Sequence, residues 1–349
     1  MITTRWSGLS AGAPITNQAS RGLTDREPFP EVFRRMADDL EQGGSSLYAR
    51  LARAYADDPR LERIAGDHEP RWEVPLRVFA AVHHLALTGR VEDPWSSFGD
   101  VVEGHADELA RFVAEQPVQT NEVQRCWGLL PGFLSAANGS RRFSLVELGP
   151  SAGLNLFWDH YRYRYPNAVW GPVDAPIELT GRARDGPPAE LFERDVEIVQ
   201  RLGIDRHPVD VADEAGARLL EAFVWADQTE RIERLRRAVE LVRRDPPELV
   251  QGDYVELLPK VLAERRDDAL TVVYHSASVL YLSRAERKRL RKGIEKAARR
   301  GPLAWLSYES VEDKTGPYLF ALDLQTWPGG ERRRLARLDG HANRLEWLP

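Results

Sequence analysis

Apolar positions between residues 29 and 140 recur at helical spacing. Val32, Phe33, Met36 and Leu40 form one stripe, and Leu47, Leu51, Ala54 and Tyr55 form a second. Gly43-Gly44 separates them, and Ser45 or Ser46 can cap the second helix. Asp57-Asp58-Pro59 marks a turn. Pro75–Leu87 is a strongly apolar helix, and Val101–Val113 and Glu122–Ala137 supply two more. No segment of this half alternates as a half-buried strand does. The pattern predicts an all-helical domain over 29–140, preceded at 1–28 by a loose arm rich in Ser, Thr, Gly and Ala.

The periodicity changes after residue 141. Phe143–Leu148 reads as a short buried strand, and Leu154, Phe157, Trp158 and Tyr161 return to helical spacing. Residues 166–218 are broken by Pro and Gly and read as an insertion, with a short strand at Ile177–Thr180 and a helix or strand at Val196–Ile204. Glu221–Val242 is one long amphipathic helix or two, on which Asp227 and Arg231 are spaced to pair. Leu249–Asp253 reads as a strand ending in Gly-Asp, and Leu270–Tyr274 is a continuous apolar run as a central parallel strand is. Val255–Ala263 is a short helix. Ser283-Arg-Ala-Glu286 has the form of a capping box and opens a basic helix that Gly301-Pro302 stops. Leu303–Tyr308 is a strand ending at Glu309, Tyr318–Trp327 and Glu331–Leu338 make a hairpin, and Leu345–Leu348 forms a short last strand. Residues 141–349 therefore predict an α/β domain with a mostly parallel sheet.

Composition narrows this further. A length of 349 residues suits two packed units, and 42% hydrophobic residues can fill sizeable cores. The balance of 54 acids against 48 bases gives a net charge of −6, so no nucleic-acid partner is expected. Cys126 is the single cysteine, which excludes an intrachain disulfide and a cysteine-based zinc site and suits a reducing compartment. It reads as a small buried apolar residue. With neither a signal peptide nor a membrane span in the pattern, a cytoplasmic protein without a membrane partner is expected. No metal site is assigned, since His83 and His84 cannot face one side of a helix together. The pattern leaves the oligomeric state open.

The chemistry gathers at Glu147-Leu-Gly149-Pro-Ser151-Ala-Gly153-Leu-Asn155. Strand, glycine turn and helix open a nucleotide-binding α/β fold, because a residue without Cβ lets the backbone approach a ligand and the helix start offers free N–H groups. The dinucleotide pattern Gly-x-Gly-x-x-Gly is absent. Gly149-Pro-Ser151-Ala-Gly153 also satisfies Gly-x-Ser-x-Gly, the nucleophile elbow. A turn with no ligand would accommodate the same residues. Downstream, Asp205 could accept hydrogen bonds from ribose hydroxyls, although that acid ordinarily follows the turn by about 20 residues; either an insertion intervenes or Asp174 takes the role. Asp253 stands at a strand end or caps the next helix. His275 and Ser276 fall at the C-terminal end of the central strand, where open α/β sheets bind ligands. Thr120 or Asn121 can cap a helix with Glu122 in its first turn, or that tip can face a substrate.

Glu147, Gly149 and Gly153 resemble the acid-x-Gly-x-Gly-x-Gly loop of class I S-adenosylmethionine-dependent methyltransferases, with Ser151 in place of the middle glycine. The resemblance spans roughly 141–349. It implies a Rossmann-like, class I methyltransferase-like, mostly parallel sheet, here joined to an N-terminal all-helical domain. It also implies S-adenosylmethionine as cofactor, held by the loop residues Glu147, Gly149, Ser151, Gly153 and Asn155. Glu147 would orient the loop or meet the methionine amine, Asp253 would meet the adenine and Asp205 the ribose. His275 would act as base or orient the acceptor, since an unperturbed histidine titrates near neutrality. Asn121 and Glu122 would select the acceptor, and the helical half would cap the site.

Nearly the whole chain resembles the family catalogued as domain of unknown function 2332. The resemblance rests on Thr120-Asn-Glu122, Glu147–Asn155, Gly203–Asp210, Trp225-Ala-Asp-Gln-Thr-Glu-Arg231, Gly252-Asp253 and Tyr274-His-Ser276. It implies membership and brings no reaction with it. The leading expectation is a methyltransferase of a small molecule. The alternatives are a serine hydrolase with Ser151 as nucleophile and His275 or His341 as base, and a binding protein that keeps the fold without turnover.

Overall fold

The computed structural model describes residues 28–137, 139–315 and 318–348. Apart from Pro28, the arm expected at 1–28 lies outside the described residues. The helices α1 (Phe29–Gln42), α2 (Ser46–Ala54), α3 (Pro59–Ala65), α4 (Val74–Leu87), α5 (Phe98–Gly104), α6 (Ala106–Glu115) and α7 (Arg125–Ala136) come first. Then follow β1 (Arg142–Leu148), β2 (Arg162–Tyr165), β3 (Ala168–Trp170), β4 (Glu178–Thr180), β5 (Arg182–Arg184) and β6 (Glu197–Asp205). Next are α8 (Glu214–Ala222), α9 (Thr229–Arg244), β7 (Glu248–Gln251), α10 (Tyr254–Ala263), β8 (Leu270–Ser276) and α11 (Arg284–Ala298). The chain closes with β9 (Leu303–Thr315), β10 (Tyr318–Trp327), β11 (Arg332–Leu338) and β12 (Arg344–Trp347). Among the described residues no helix is long and apolar enough to cross a membrane.

The chain forms two compact units. One takes the described residues 28–120 together with 211–236. Of the predicted stripes, Val32, Phe33, Leu40 and Leu51 are buried in its core and Ala54 is exposed; Tyr48, Phe79 and Phe98 are buried beside them, with Tyr48 meeting Phe79 edge-on at 5.1 Å. Trp225 packs 4.8 Å from Tyr48. Asp227 does not serve as the expected surface partner of Arg231. Its carboxylate accepts from Ser45 Oγ at 2.8 Å and Leu47 N at 3.1 Å, so it occupies the start of α2. His83 is a core histidine: its Nδ1 lies 3.0 Å from Val224 O, and burial pushes its pKa below the ordinary value. The helix expected at Val101–Val113 breaks at His105 into α5 and α6.

The other unit takes 121–210 and the chain from 237 onward. Its nine-stranded sheet runs β5-β12-β11-β10-β9-β8-β1-β6-β7. The strands β7, β6, β1, β8 and β9 are mutually parallel, and their sheet order is third, second, first, fourth, fifth in the chain. The winding direction therefore reverses between β1 and β8. β10, β11 and β12 continue as an antiparallel meander, and β5 joins β12 in parallel. This is a mixed α/β protein with a large, mostly parallel central sheet.

Side chains alternate across that sheet. Val146, Leu148, Ile204, Val250 and Val273 pack under Leu257 and Leu258 of α10 and Leu290 and Ile294 of α11. The opposite face carries α7, whose glycines permit close approach: a Cβ on Gly132 would stand 2.4 Å from Leu306 Cδ1. Phe133 of α7 meets the Tyr274 ring edge-on at 5.0 Å.

Two expectations change, and two that the sequence left open are decided. The segment after the glycine turn is a 3-10 stretch, Leu154–His160, kinked at Phe157, and not an α-helix. Its carbonyls are taken by side chains: Leu154 O by the Tyr161 hydroxyl (2.7 Å), Leu156 O by Arg201 (2.5 Å) and Trp158 O by the Tyr163 hydroxyl (2.6 Å). Arg162–Tyr165 beyond it is β2, which forms a small sheet with β3 and β4. Val196–Ile204 is a strand, β6, and Glu221–Val242 divides between α8 and α9. Finally, α7 begins at Arg125 and leaves Asn121 and Glu122 ahead of it.

Candidate functional site

The turn after β1 is held from three sides. Gly149 N donates to Ile204 O at 2.9 Å and so extends the β1–β6 ladder by one bond. Gly149 and Gly153 have φ of 73° and 76°, which a side chain rarely adopts. Both also have protein close by: a Cβ on Gly149 would lie 2.6 Å from Ser278 Cβ, and one on Gly153 2.8 Å from Pro247 Cγ. Ser278 Oγ donates to Leu148 O at 2.7 Å and ties the loop after β8 to the end of β1. These glycines thus admit neighbouring chain, where the sequence had suggested approach by a ligand.

Ser151 adopts φ 55° without being glycine. Its N–H donates to Asp205 Oδ2 at 2.8 Å, and its carbonyl accepts from Val209 N at 3.2 Å. Asp205 Oδ1 accepts from His207 N at 2.8 Å. The spacing objection to Asp205 dissolves here. β6 pairs directly with β1, Leu148 opposite Ile204, and the small sheet and β5 are inserted between the two strands in the chain. Asp174 lies exposed between β3 and β4. Asp253 follows β7, caps α10 through Val255 N at 2.7 Å and pairs with Arg206 at 2.6 Å. Gly252 N donates to Asp205 O at 2.8 Å, which links these two strand ends.

Asn121 reaches this turn from before α7. Its Nδ2 donates to Pro150 O at 2.5 Å, while its Oδ1 is buried and makes no hydrogen bond among the described residues. Asn121 therefore anchors the glycine turn and does not cap a helix. Glu122 Oε1 accepts from Gln124 N at 3.0 Å, and Oε2 lies 3.8 Å from His341 Nδ1. Arg125 donates to Gly340 O at 3.2 Å and Ser276 O at 3.3 Å. Sequence reasoning missed Arg125; a buried arginine heading the apolar run Cys126–Leu134 was the available signal.

Glu147 and Asn155 lie in the interior, on the α7 side. Glu147 is 2% exposed and accepts from the Tyr274 hydroxyl at 2.9 Å. Burial pushes its carboxyl up to about 8, the value of a group that keeps its proton at neutral pH. Asn155 Oδ1 lies 3.3 Å from Cys126 Sγ, and burial pushes that thiol's pKa well up.

His275 is 1% exposed and projects to the other face, so the sheet lies between it and Glu147. Its Nδ1 is 2.7 Å from Glu309 Oε1, and its Nε2 is buried without a hydrogen-bond partner among the described residues. Glu309 also accepts from the backbone N–H of Ser278 (2.9 Å), Val279 (2.9 Å) and Leu280 (3.2 Å). It is the organising acceptor of the loop after β8, and nothing local in the sequence marks it.

The fold and these strand ends define a mixed α/β protein whose polar residues collect at the C-terminal edge of a mostly parallel sheet. The chain belongs to the family described as "Uncharacterized protein conserved in bacteria (DUF2332)", whose model matches residues 30–347. No curated protein matches it.

Proposed function

We propose that the chain binds S-adenosylmethionine at the β1 turn and transfers its methyl group to a small molecule. The observation that carries this reading is the pinning of the glycine turn by Asp205 from the end of the adjacent parallel strand, beside the point where the winding reverses. Ligands of open α/β sheets bind at such a reversal. The residues present fit the cofactor. Asp205 uses one bond on each carboxylate oxygen, and an ionised carboxylate has about four acceptor positions. The remaining two suit ribose hydroxyls. The buried Asn121 Oδ1 suits the ligand's ammonium better than Glu147, which is enclosed and bonded to Tyr274. Asp253 would meet the adenine amino group beside its pair with Arg206. The cofactor supplies an electrophilic methyl group; the chain's residues need only align the acceptor and take up a proton. His341, with its side chain 38% exposed and Glu122 beside it, is the better-placed proton acceptor than the 1% exposed His275.

Calorimetric titration of the full chain tests this. S-adenosylmethionine and S-adenosylhomocysteine are expected to bind in the micromolar range, and Asp205→Asn and Asn121→Ala each to weaken binding at least ~10-fold, about 1.4 kcal/mol. Absence of binding at millimolar ligand would overturn the proposal. Binding without methyl transfer to any component of a metabolite extract would support the fold-retaining binding protein instead.

A second reading has its own observation. Ser151 holds positive φ inside Gly-x-Ser-x-Gly, as a nucleophile elbow requires. A serine-directed fluorophosphonate is expected to leave the wild type unlabelled; labelling that disappears in Ser151→Ala would put the hydrolase first.

A further inference from the structure

A cavity of about 1060 Å³ opens at the edge of the sheet opposite the glycine turn. Its walls include the first residues of β8 and β9, Leu270 and Leu303, and the last of β10 and β12, Trp327 and Trp347. Six arginines line it against two aspartates, although the whole chain carries −6.

Several of these arginines have partners. Arg266 pairs with Asp268 at 2.8 Å, and Arg142 shares that carboxylate at 2.6 Å. Arg334 pairs with Asp323 at 3.1 Å, and Arg194 donates to Leu134 O at 2.6 Å. Arg265, Arg300 and Arg333 have no carboxylate at ion-pair distance among the described residues. Arg300 makes one long bond, to Ala263 O at 3.4 Å. Arg265 Nη1 is buried and makes no hydrogen bond among the described residues. Burial and the neighbouring charge of Arg300 both lower the pKa of Arg265. The ends of α10 and α11 thus bring two guanidinium groups into one concave site, where Asp267 acts on Arg265 without standing at ion-pair distance.

We propose that this cavity binds a small phosphorylated molecule with an aromatic ring, of the nucleotide type, its phosphates on Arg265, Arg300 and Arg333 and its ring against Trp327 and Trp347. A guanidinium presents a fixed fork of donors that matches phosphate oxygens in pairs. Three guanidinium groups without an ion-pair partner, offset by Asp267 alone, call for more than one negative charge, which a diphosphate supplies and a single carboxylate does not. The tryptophans give the ring an apolar, stackable wall. The volume is slightly above the range typical for small-ligand pockets, about 300–1,000 Å³. This site is independent of the proposal for the β1 turn.

Calorimetry on the full chain at low ionic strength, with adenosine diphosphate, inorganic pyrophosphate and adenosine as probes, decides it. Adenosine diphosphate should bind most tightly, pyrophosphate more weakly and adenosine least. Arg265→Gln combined with Arg300→Gln should weaken adenosine diphosphate at least tenfold. Arg333→Gln, on an exposed side chain of β11, should weaken it by a smaller factor and keeps the test valid if the double variant fails to fold. Asp205→Asn should leave it unchanged. The proposal is overturned by silence at millimolar adenosine diphosphate, by full binding in the arginine variants, or by loss in Asp205→Asn. A single-stranded oligonucleotide binding more tightly than adenosine diphosphate would overturn it in favour of a nucleic-acid end.

Discussion

Glu309→Ala is expected to lower stability by about 4 kcal/mol, because its carboxylate serves four donors at once. An unmet buried donor costs roughly 1–3 kcal/mol. Truncation would strand the backbone N–H groups of Ser278, Val279 and Leu280 along with the His275 imidazole. The side chain is 15% exposed, so water can reach part of the gap and the full sum is not expected. Glu309→Gln retains an acceptor oxygen and should lose less than half as much. Urea unfolding of the two variants measures the difference. A Glu309→Ala variant within about 1 kcal/mol of wild type, the ordinary effect of a single substitution, would show that the loop after β8 holds itself.

The second large effect depends on pH. The Glu147 carboxyl titrates at about 8 in the folded chain against an ordinary 4.5, chiefly because it is buried. Its folded value is raised, so the folded state holds a proton that the unfolded chain has released. The stability linked to that proton is complete below about pH 4.5, falls as pH rises and is lost above about pH 8. At 1.36 kcal/mol per unit, the upper limit of the loss is about 5 kcal/mol. Glu147→Gln still offers an acceptor to the Tyr274 hydroxyl and cannot ionise. It should match the wild type near pH 5 and exceed it by several kcal/mol at pH 8.5. Denaturant midpoints measured from pH 5 to 9 test this; parallel pH profiles for the two proteins would assign the titration to another group.

Both residues show how far the sequence could be read. Glu147 was visible because it belongs to a local motif, acid and glycines within seven positions. Its direction was not visible, since a strand residue's face depends on which helix covers it, and here α7 does. The continuous runs of β1 and β8, the capping box of α11 and the last hairpin follow from local pattern. The capping box is present in full, with Ser283 and Glu286 bonding reciprocally. The 3-10 stretch escaped because Tyr161, Tyr163 and Arg201 satisfy its carbonyls, one of them from β6. Glu309 escaped for the same reason: its partners stand about 30 positions earlier across the β8–β9 pair. The spacing of Asp205 from the glycine turn misleads, because an inserted sheet lengthens the chain between β1 and β6 without separating the strands in space. The arginines of the cavity come from four separate segments, at 194, 265–266, 300 and 333–334, which only the fold brings together.

The placement of β5 has a consequence for synthesis. This strand leaves the insertion near the middle of the chain, yet its partner in the sheet is β12, Arg344–Trp347. Arg184 and Arg344 are roughly 160 positions apart, and ribosomes add about 5–20 residues per second. For roughly 8–32 seconds the emerging chain carries β5 with its edge unpaired. Its own Arg182 and Arg184 are charged and exposed, which discourages pairing with another nascent chain during that interval.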